Sequence, residues 1–294
     1  MKKVAFVIPI HSPDFIYLYN IVDKMKEVTR IFDFYLVFSG ESEKKSFRDA
    51  DLYNCLVYNH PKNKRKQNIP GYKKFYALDY LKNKNYDYVV CSDSEIDVLL
   101  HNFTKENVLR KLDDFYENKI IYGGDVSEIK DKLNLSRLTD IIEKSASILG
   151  TEIKSYIDNL NKDGSWYYWW SDIPVFKSKD INDFLNQINY YCNNFTLVKP
   201  HFDHKIYCNF LLYKNNFRLY KLSKELVSRK VYGANKWSLE KIQVDKPMLL
   251  EKLRDLKYGF SFVNSIQYDK NKEFFDLNGT FMLFNVDRNK KRNV

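Results

Sequence analysis

Short apolar runs, each closed by loop-forming residues and separated by stretches of helical spacing, constrain this chain more than any other feature. Val4–Ile10 follows two lysines and holds no polar residue. Phe34-Tyr35-Leu36-Val37-Phe38 stops at Ser39-Gly40, and the run Tyr86–Cys91 stops at Ser92-Asp93. Runs this short, continuous rather than alternating in polarity, read as strands buried on both faces. Leu52–Asn59 reads as a further strand between the second and third of them. Asp14 is placed to cap a helix through about Val28, and Tyr72–Lys82 sets Phe75, Leu78 and Leu81 on one helical face. Strand, helix and strand in alternation over the first hundred residues predict parallel βαβ units with both sheet faces covered.

Further along, Ile120-Ile121-Tyr122 runs into Gly123-Gly124-Asp125, a second type of strand-to-loop edge. Helical spacing covers Leu138–Leu149, Thr151–Leu160 and Asp180–Tyr191, and Trp166–Phe176 is aromatic and strand-like. Beyond about residue 215 the alternation weakens into loops, short strands and a helix near Pro247–Leu256. The expected fold is α/β: a Rossmann-type, mostly parallel sheet flanked by helices, with a mixed C-terminal elaboration. The expected division is a core over 1–215 and an extension over 216–294 packed on it.

With 44% hydrophobic and 16% aromatic residues among 294, the chain can bury a large core, which argues against disorder. Its formal charge is +10, which favours phosphate-bearing ligands, nucleic acid or anionic surfaces alike. Lys62-Asn63-Lys64-Arg65-Lys66 and Arg288-Asn289-Lys290-Lys291-Arg292 are the only dense basic clusters, and no nucleic-acid-binding signature accompanies either. Nucleic acid is therefore not an expected partner. Cys55, Cys91, Cys192 and Cys208 are widely spaced and form no C-x-x-C pair, which fits a reduced, cytoplasmic setting. No stretch approaches the roughly 20 apolar residues of a spanning helix, so any membrane contact is expected to be peripheral.

Asp93-Ser94-Glu95 is the motif that carries chemistry. In parallel α/β sheets ligands bind outside the carboxyl ends of the strands, where this motif lies. In extended backbone, side chains two residues apart point the same way. Two hard oxygen donors on one side can hold Mg²⁺ or Mn²⁺ and leave positions for water and phosphate oxygens. The competing reading is a solvated loop of helix-capping residues. Asp97 competes with Glu95 for the second ligand position. Lys73 and Lys74, one helix earlier, either reach a diphosphate or lie on the surface.

The segment Tyr86-Asp87-Tyr88-Val89-Val90-Cys91-Ser92-Asp93-Ser94-Glu95-Ile96 resembles the strand and DxD motif of nucleotide-sugar glycosyltransferases of the GT-A fold. Val4-Ala5-Phe6-Val7-Ile8-Pro9-Ile10-His11 resembles the first strand and nucleotide-binding loop of that family. The likeness in element order covers about residues 1–220, and the second acid departs from the family pattern in being Glu. It implies Mn²⁺ or Mg²⁺ on Asp93 and Glu95, bridging the two phosphates of a nucleoside diphosphate sugar. Pro9, His11 and Ser39 would then hold the nucleoside, with Lys73 and Ser94 beside the diphosphate.

Two more constellations follow. The aromatic run Trp166–Trp170 cannot be all core on a strand, because neighbouring side chains face opposite ways. Trp166, Trp169 and Trp170 suit stacking on sugar faces, and Asp172 suits a base that takes the acceptor hydroxyl's proton. A thick hydrophobic core with Asp172 in a turn before Pro174 reads the same residues without function. Gly124 and Asp125 bring backbone and a carboxylate near a sugar, or form an ordinary turn. In His201-Phe202-Asp203-His204, Asp203 is either a further metal ligand or the cap of the following helix. A Gly-containing stretch with Arg229, Lys230 and Tyr232 is a candidate lid.

The expected activity is transfer of a sugar from a nucleoside diphosphate sugar to a hydroxyl of a glycan-type acceptor, with a divalent metal on the diphosphate. The alternatives are a sugar-nucleotide nucleotidyltransferase, which usually has a Gly-rich loop that Ile8–Ser12 lacks, and a non-catalytic carbohydrate-binding protein. Donor sugar, base, acceptor, stereochemistry and oligomeric state are not encoded in any motif.

Overall fold

The structure, a computed structural model, describes residues 3–61, 68–125, 132–162, 166–167, 174–194, 196–198, 201–221, 262–264, 272–277, 279–284 and 286. Asp172, Trp169, Trp170, both basic clusters, the candidate lid and the predicted helix over Pro247–Leu256 lie outside the described residues.

The chain opens with β1 (Val4–Pro9), a 3-10 turn Ser12–Asp14, α1 (Phe15–Tyr19) and α2 (Val22–Val28). Then come β2 (Asp33–Phe38), α3 (Glu41–Ser46), β3 (Asn54–Val57), α4 (Ile69–Leu81) and β4 (Tyr88–Cys91). After β4 follow β5 (Ile96–Val98), α5 (Lys105–Asn118), β6 (Ile120–Asp125), α6 (Lys132–Ser147) and α7 (Thr151–Leu160). The described remainder is β7 (Trp166–Tyr167), β8 (Val175–Lys177), α8 (Ser178–Asn193), α9 (Asp203–Lys214), β9 (Arg218–Lys221), β10 (Phe262–Asn264), a short helix Lys272–Leu277 and β11 (Met282–Phe284).

The central sheet has the order β3-β2-β1-β4-β8. Its first four strands are parallel and β8 runs antiparallel at the edge. The predicted mostly parallel sheet flanked by helices is thus the observed fold. Every residue of β1 and β4 is buried, as continuous apolar runs require when helices cover both faces. Register separates the two faces. Phe6 lies beside Phe34 and Val90, whereas Phe176 lies beside Val89, one residue away and therefore on the other side. On the first side Phe6 stacks on Phe34 with ring centroids 4.8 Å apart, and Phe32 and Phe103 close the cluster. On the second, Phe176 packs against Phe184 and Tyr207, and Phe75 of α4 meets Phe184 of α8.

Two small sheets flank this core. β7-β6-β9 pairs β6 antiparallel with β7 and parallel with β9. In β10-β11-β5, β11 runs antiparallel to β5, so residues 282–284 bond the strand that directly follows the acidic motif. The boundary expected at 215/216 falls between α9 and β9.

Several local expectations change. Asp14 does not cap a helix through Val28: its side chain makes no capping bond, and the helix starts as a 3-10 turn with Pro13 in its first positions. That helix also breaks at Asn20-Ile21, where Ile21 leaves helical backbone with φ −122° and is itself buried. α9 begins at Asp203 rather than after it, with Phe202 in the cap position. No helix among the described residues is long and apolar enough to cross a membrane.

Candidate functional site

Strand order locates the site. From β1 the chain winds outward to β2 and β3, then crosses back through α4 to lay β4 on the other side of β1. Such a reversal opens a crevice between the two inner strands at their carboxyl ends. Ser92 still donates to Val7 O at 2.8 Å, so Asp93 leaves the sheet level with the end of β1, beside the loop that starts at Ile10-His11. Burial alternates from Asp93 to Val98, with Ser94, Ile96 and Val98 inside and Asp93, Glu95 and Asp97 outward. The segment is not fully extended, however. It bends at Ser94-Glu95, where Ile96 N donates to Ser94 O at 3.0 Å.

Asp97, the competitor of Glu95, takes a bond from Lys24 Nζ at 2.7 Å and one from its neighbour Val98 N. It also pairs with Leu283 across the small sheet. Glu95 is half-buried. Asp93 presents a side chain 59% exposed and is the acid most open to a ligand.

Behind Asp93 lies a buried cation. Lys74 is only 3% exposed, and its ammonium donates to Asp93 Oδ1 at 3.0 Å and to Asp203 Oδ2 at 2.7 Å. Desolvation opposes its charge, but Asp203 and then Asp93 outweigh that, and Lys74 is held above the ordinary lysine range. Asp203 is 4% exposed, in the first turn of α9, where the helix's N-terminal partial charge favours a carboxylate. The geometry thus pairs Asp203, read from the sequence as either a further metal ligand or a helix cap, with a lysine. Burial first, then Lys205 and Lys74, push the neighbouring His204 well below the ordinary histidine range. Cys91, at the end of β4, is kept a thiol by burial, which raises it despite the nearby ammonium.

A second cluster ties the ends of β1 and β2. Glu43, in the first turn of α3, accepts from Ser12 N at 2.8 Å, Ser39 N at 2.5 Å and His11 Nδ1 at 2.8 Å. Burial works against its charge, yet those two amides, Lys73 and His11 together hold its carboxyl below the usual range. Lys73 lies 4.0 Å from Glu43 and donates to the carbonyl of Ile10. Burial pulls its ammonium down to about 8, against the pull of Glu43 and Asp14.

The structure therefore brings Pro9, His11, Ser39, Lys73, Asp93 and Ser94 to one end of the sheet, with Lys73 and Lys74 both buried rather than on the surface. Sequence reasoning missed Glu43. The signal for it was Glu41 and Glu43 followed by Lys44 and Lys45 directly after a strand end, the charge order of a short helix. Gly124 pairs with Tyr167 and Asp125 with Trp166 across β6 and β7, so three expected substrate residues, Gly124, Asp125 and Trp166, meet in backbone on the small sheet.

As a metal seat the residues fit in part. Asp93 offers an open carboxylate, and Glu95 follows it on the outward side. Asp203 is committed to Lys74. Among the described residues no three His, Cys, Asp or Glu side chains converge closely enough to share an ion.

No family model and no curated protein matches the chain. Among solved structures it resembles S. aureus TarS 1–349, with 14% identity and a TM-score of 0.29 over 41% of this chain and 35% of that one. The chain therefore spans about a third of that protein's length. It also resembles the CMP:2-keto-3-deoxy-manno-octonic acid synthetase complexed with CTP, at 10% identity and TM-score 0.34, covering 87% of this chain and 98% of the other. The mannosyltransferase Ktr4p from S. cerevisiae matches at 11% identity and TM-score 0.31, covering 70% and 62%. Likeness this distant assigns no residue a role.

Proposed function

We propose that this chain is a glycosyltransferase that binds a nucleoside diphosphate sugar over the carboxyl ends of β1, β2 and β4. The observation that carries the reading is Asp93: an open carboxylate leaving the sheet beside β1 at the strand-order reversal, backed by a buried ammonium. Glu43 already occupies the amides of Ser12 and Ser39 that a phosphate would otherwise seek. The loops after β1 and β2, with Pro9, His11 and Ser39, are therefore assigned to the nucleoside, and the diphosphate to the side of Asp93 and Ser94.

Asp93 and Glu95 would hold Mn²⁺ or Mg²⁺, which supplies positive charge to a departing diphosphate. In the transfer, the acceptor oxygen bonds to the anomeric carbon as the bond from that carbon to the phosphate oxygen breaks. The acceptor's proton passes to a carboxylate, and Asp172 is the residue proposed for it. Trp166, Trp169, Trp170, Gly124 and Asp125 are proposed to shape the sugar and acceptor pocket. The acceptor is a hydroxyl of a glycan or glycoconjugate, reached from the cytoplasm or from the membrane surface.

Calorimetric titration with UDP, GDP and CDP, with and without Mn²⁺, tests this. Wild type is expected to bind one of them tightly with Mn²⁺, and Asp93→Ala to lose that binding while remaining folded. Unchanged affinity in Asp93→Ala would sink the reading. Turnover that starts from a nucleoside triphosphate and releases pyrophosphate would assign the chain to the nucleotidyltransferases instead.

A further inference from the structure

Asp93 is more than half exposed, and a carboxylate so placed ordinarily samples several rotamers. Here one of its oxygens is held from beneath. We propose that Lys74 and Asp203 form a buried positioning pair that sets the orientation of Asp93 toward its ligand. The inference rests on the reading of Asp93 as the acid that meets the donor, and adds two residues that act only through it.

The geometry carries the argument. An ammonium has three N–H donors, and two of those on Lys74 are committed, to Asp93 at 3.0 Å and to Asp203 at 2.7 Å. With Asp203 fixing one direction, the other is fixed as well, and Asp93 Oδ1 must meet it. The second oxygen of Asp93 is then presented in one direction. The base of the arrangement is firm, because α9 is buried at every position from Asp203 to Leu212. Helix α4, which carries Lys74, is fastened to the segment leading into α9. Asn68 Nδ2 donates to His201 O at 2.8 Å, and Leu197 N donates to Tyr72 OH at 2.6 Å. The two helices therefore hold Lys74 and Asp203 in fixed relation, and Asp93 takes its position from both.

A double-mutant cycle tests this, because a residue acting through Asp93 has nothing left to do once Asp93 is gone. The variant Lys74→Met/Asp203→Asn deletes the pair while leaving no unpaired charge between those two sites. Titrated with the nucleoside diphosphate that wild type binds in Mn²⁺, it is expected to be about tenfold weaker, as is Asp93→Asn. The triple variant is expected to be no weaker than Asp93→Asn alone. Additive losses in the triple variant, or wild-type affinity in the pair variant, overturn the proposal. Lys74→Arg keeps the charge and moves the donor atoms, which makes it a second variant should the pair variant not fold. It is expected to bind several-fold more weakly, and unchanged affinity overturns the proposal. If wild type binds none of UDP, GDP and CDP, the functional reading fails by itself. Crystal structures of wild type and of the pair variant, or of Lys74→Arg in its place, then decide. An Asp93 carboxylate displaced or split between rotamers supports positioning, and one left in place refutes it.

Discussion

Lys74 is stable in the interior only as one member of a set of three. Removing one partner of a buried ion pair typically costs about 3–5 kcal/mol, because the other charge is left without solvent or counter-charge. Asp203→Ala is expected to destabilise the fold by that amount, read as a drop in the denaturant midpoint. Glu43 gives a pH-dependent counterpart. Its folded-state pKa lies below the ordinary 4.5, so its ionised form adds stability above pH 4.5. That contribution is lost as pH falls through the folded value. The stability gap between wild type and Glu43→Gln is expected to narrow as pH falls below about 4.5. A constant gap would deny Glu43 its charged role. Neither arrangement was legible in the sequence. Asp203 lies 129 positions from Lys74, and two adjacent lysines on a helix look solvated until their partners, Ile10 and Glu43 for one and Asp93 and Asp203 for the other, are brought to them by the fold.

At the level of elements, the start of α4 decides how well the site is held. Asn68 caps the helix by accepting from Gly71 N at 3.1 Å while its amide nitrogen donates to His201 O. A Cβ on Gly71 would sit 2.6 Å from that nitrogen, so a side chain there must break the cap or the tie to His201. Asn68→Ala is expected to cost about 1 kcal/mol, the usual worth of such a cap, and Gly71→Ala a similar amount. Chemical denaturation measures both. Helix α4 itself was readable, predicted over Tyr72–Lys82 and found over Ile69–Leu81, because Phe75, Leu78 and Leu81 mark its inner face. Helix α5 was equally readable, from Thr104 at its cap and Val108, Leu112, Phe115 and Tyr116 on one side, and went unread. The break between α1 and α2 was not readable, since Ile21 leaves helical backbone and is buried in the tertiary core rather than following any local breaker residue.

For the whole molecule, continuous apolar runs were enough to predict a parallel sheet, because only such a sheet buries strands on both faces. They did not predict that residues 282–284 return to bond β5. A three-residue strand carries too little pattern, and its partner is far away in sequence. Phe281, fully buried just before β11, packs edge-on against Phe103 with centroids 5.7 Å apart. Phe281→Ala is expected to cost about 3–5 kcal/mol as a large core truncation. A cost near zero would make this stretch an appendage.

The pairing of β5 with β11 also has a consequence for how the protein is made. The ribosome delivers β4 and Asp93 well before β11, the strand that anchors the far side of the motif. Contacts between such distant segments form slowly, since a long loop must close first. A nascent chain stalled before residue 282 would therefore carry the acidic motif with one flank unanchored, and ligand competence would arrive only once β11 has emerged.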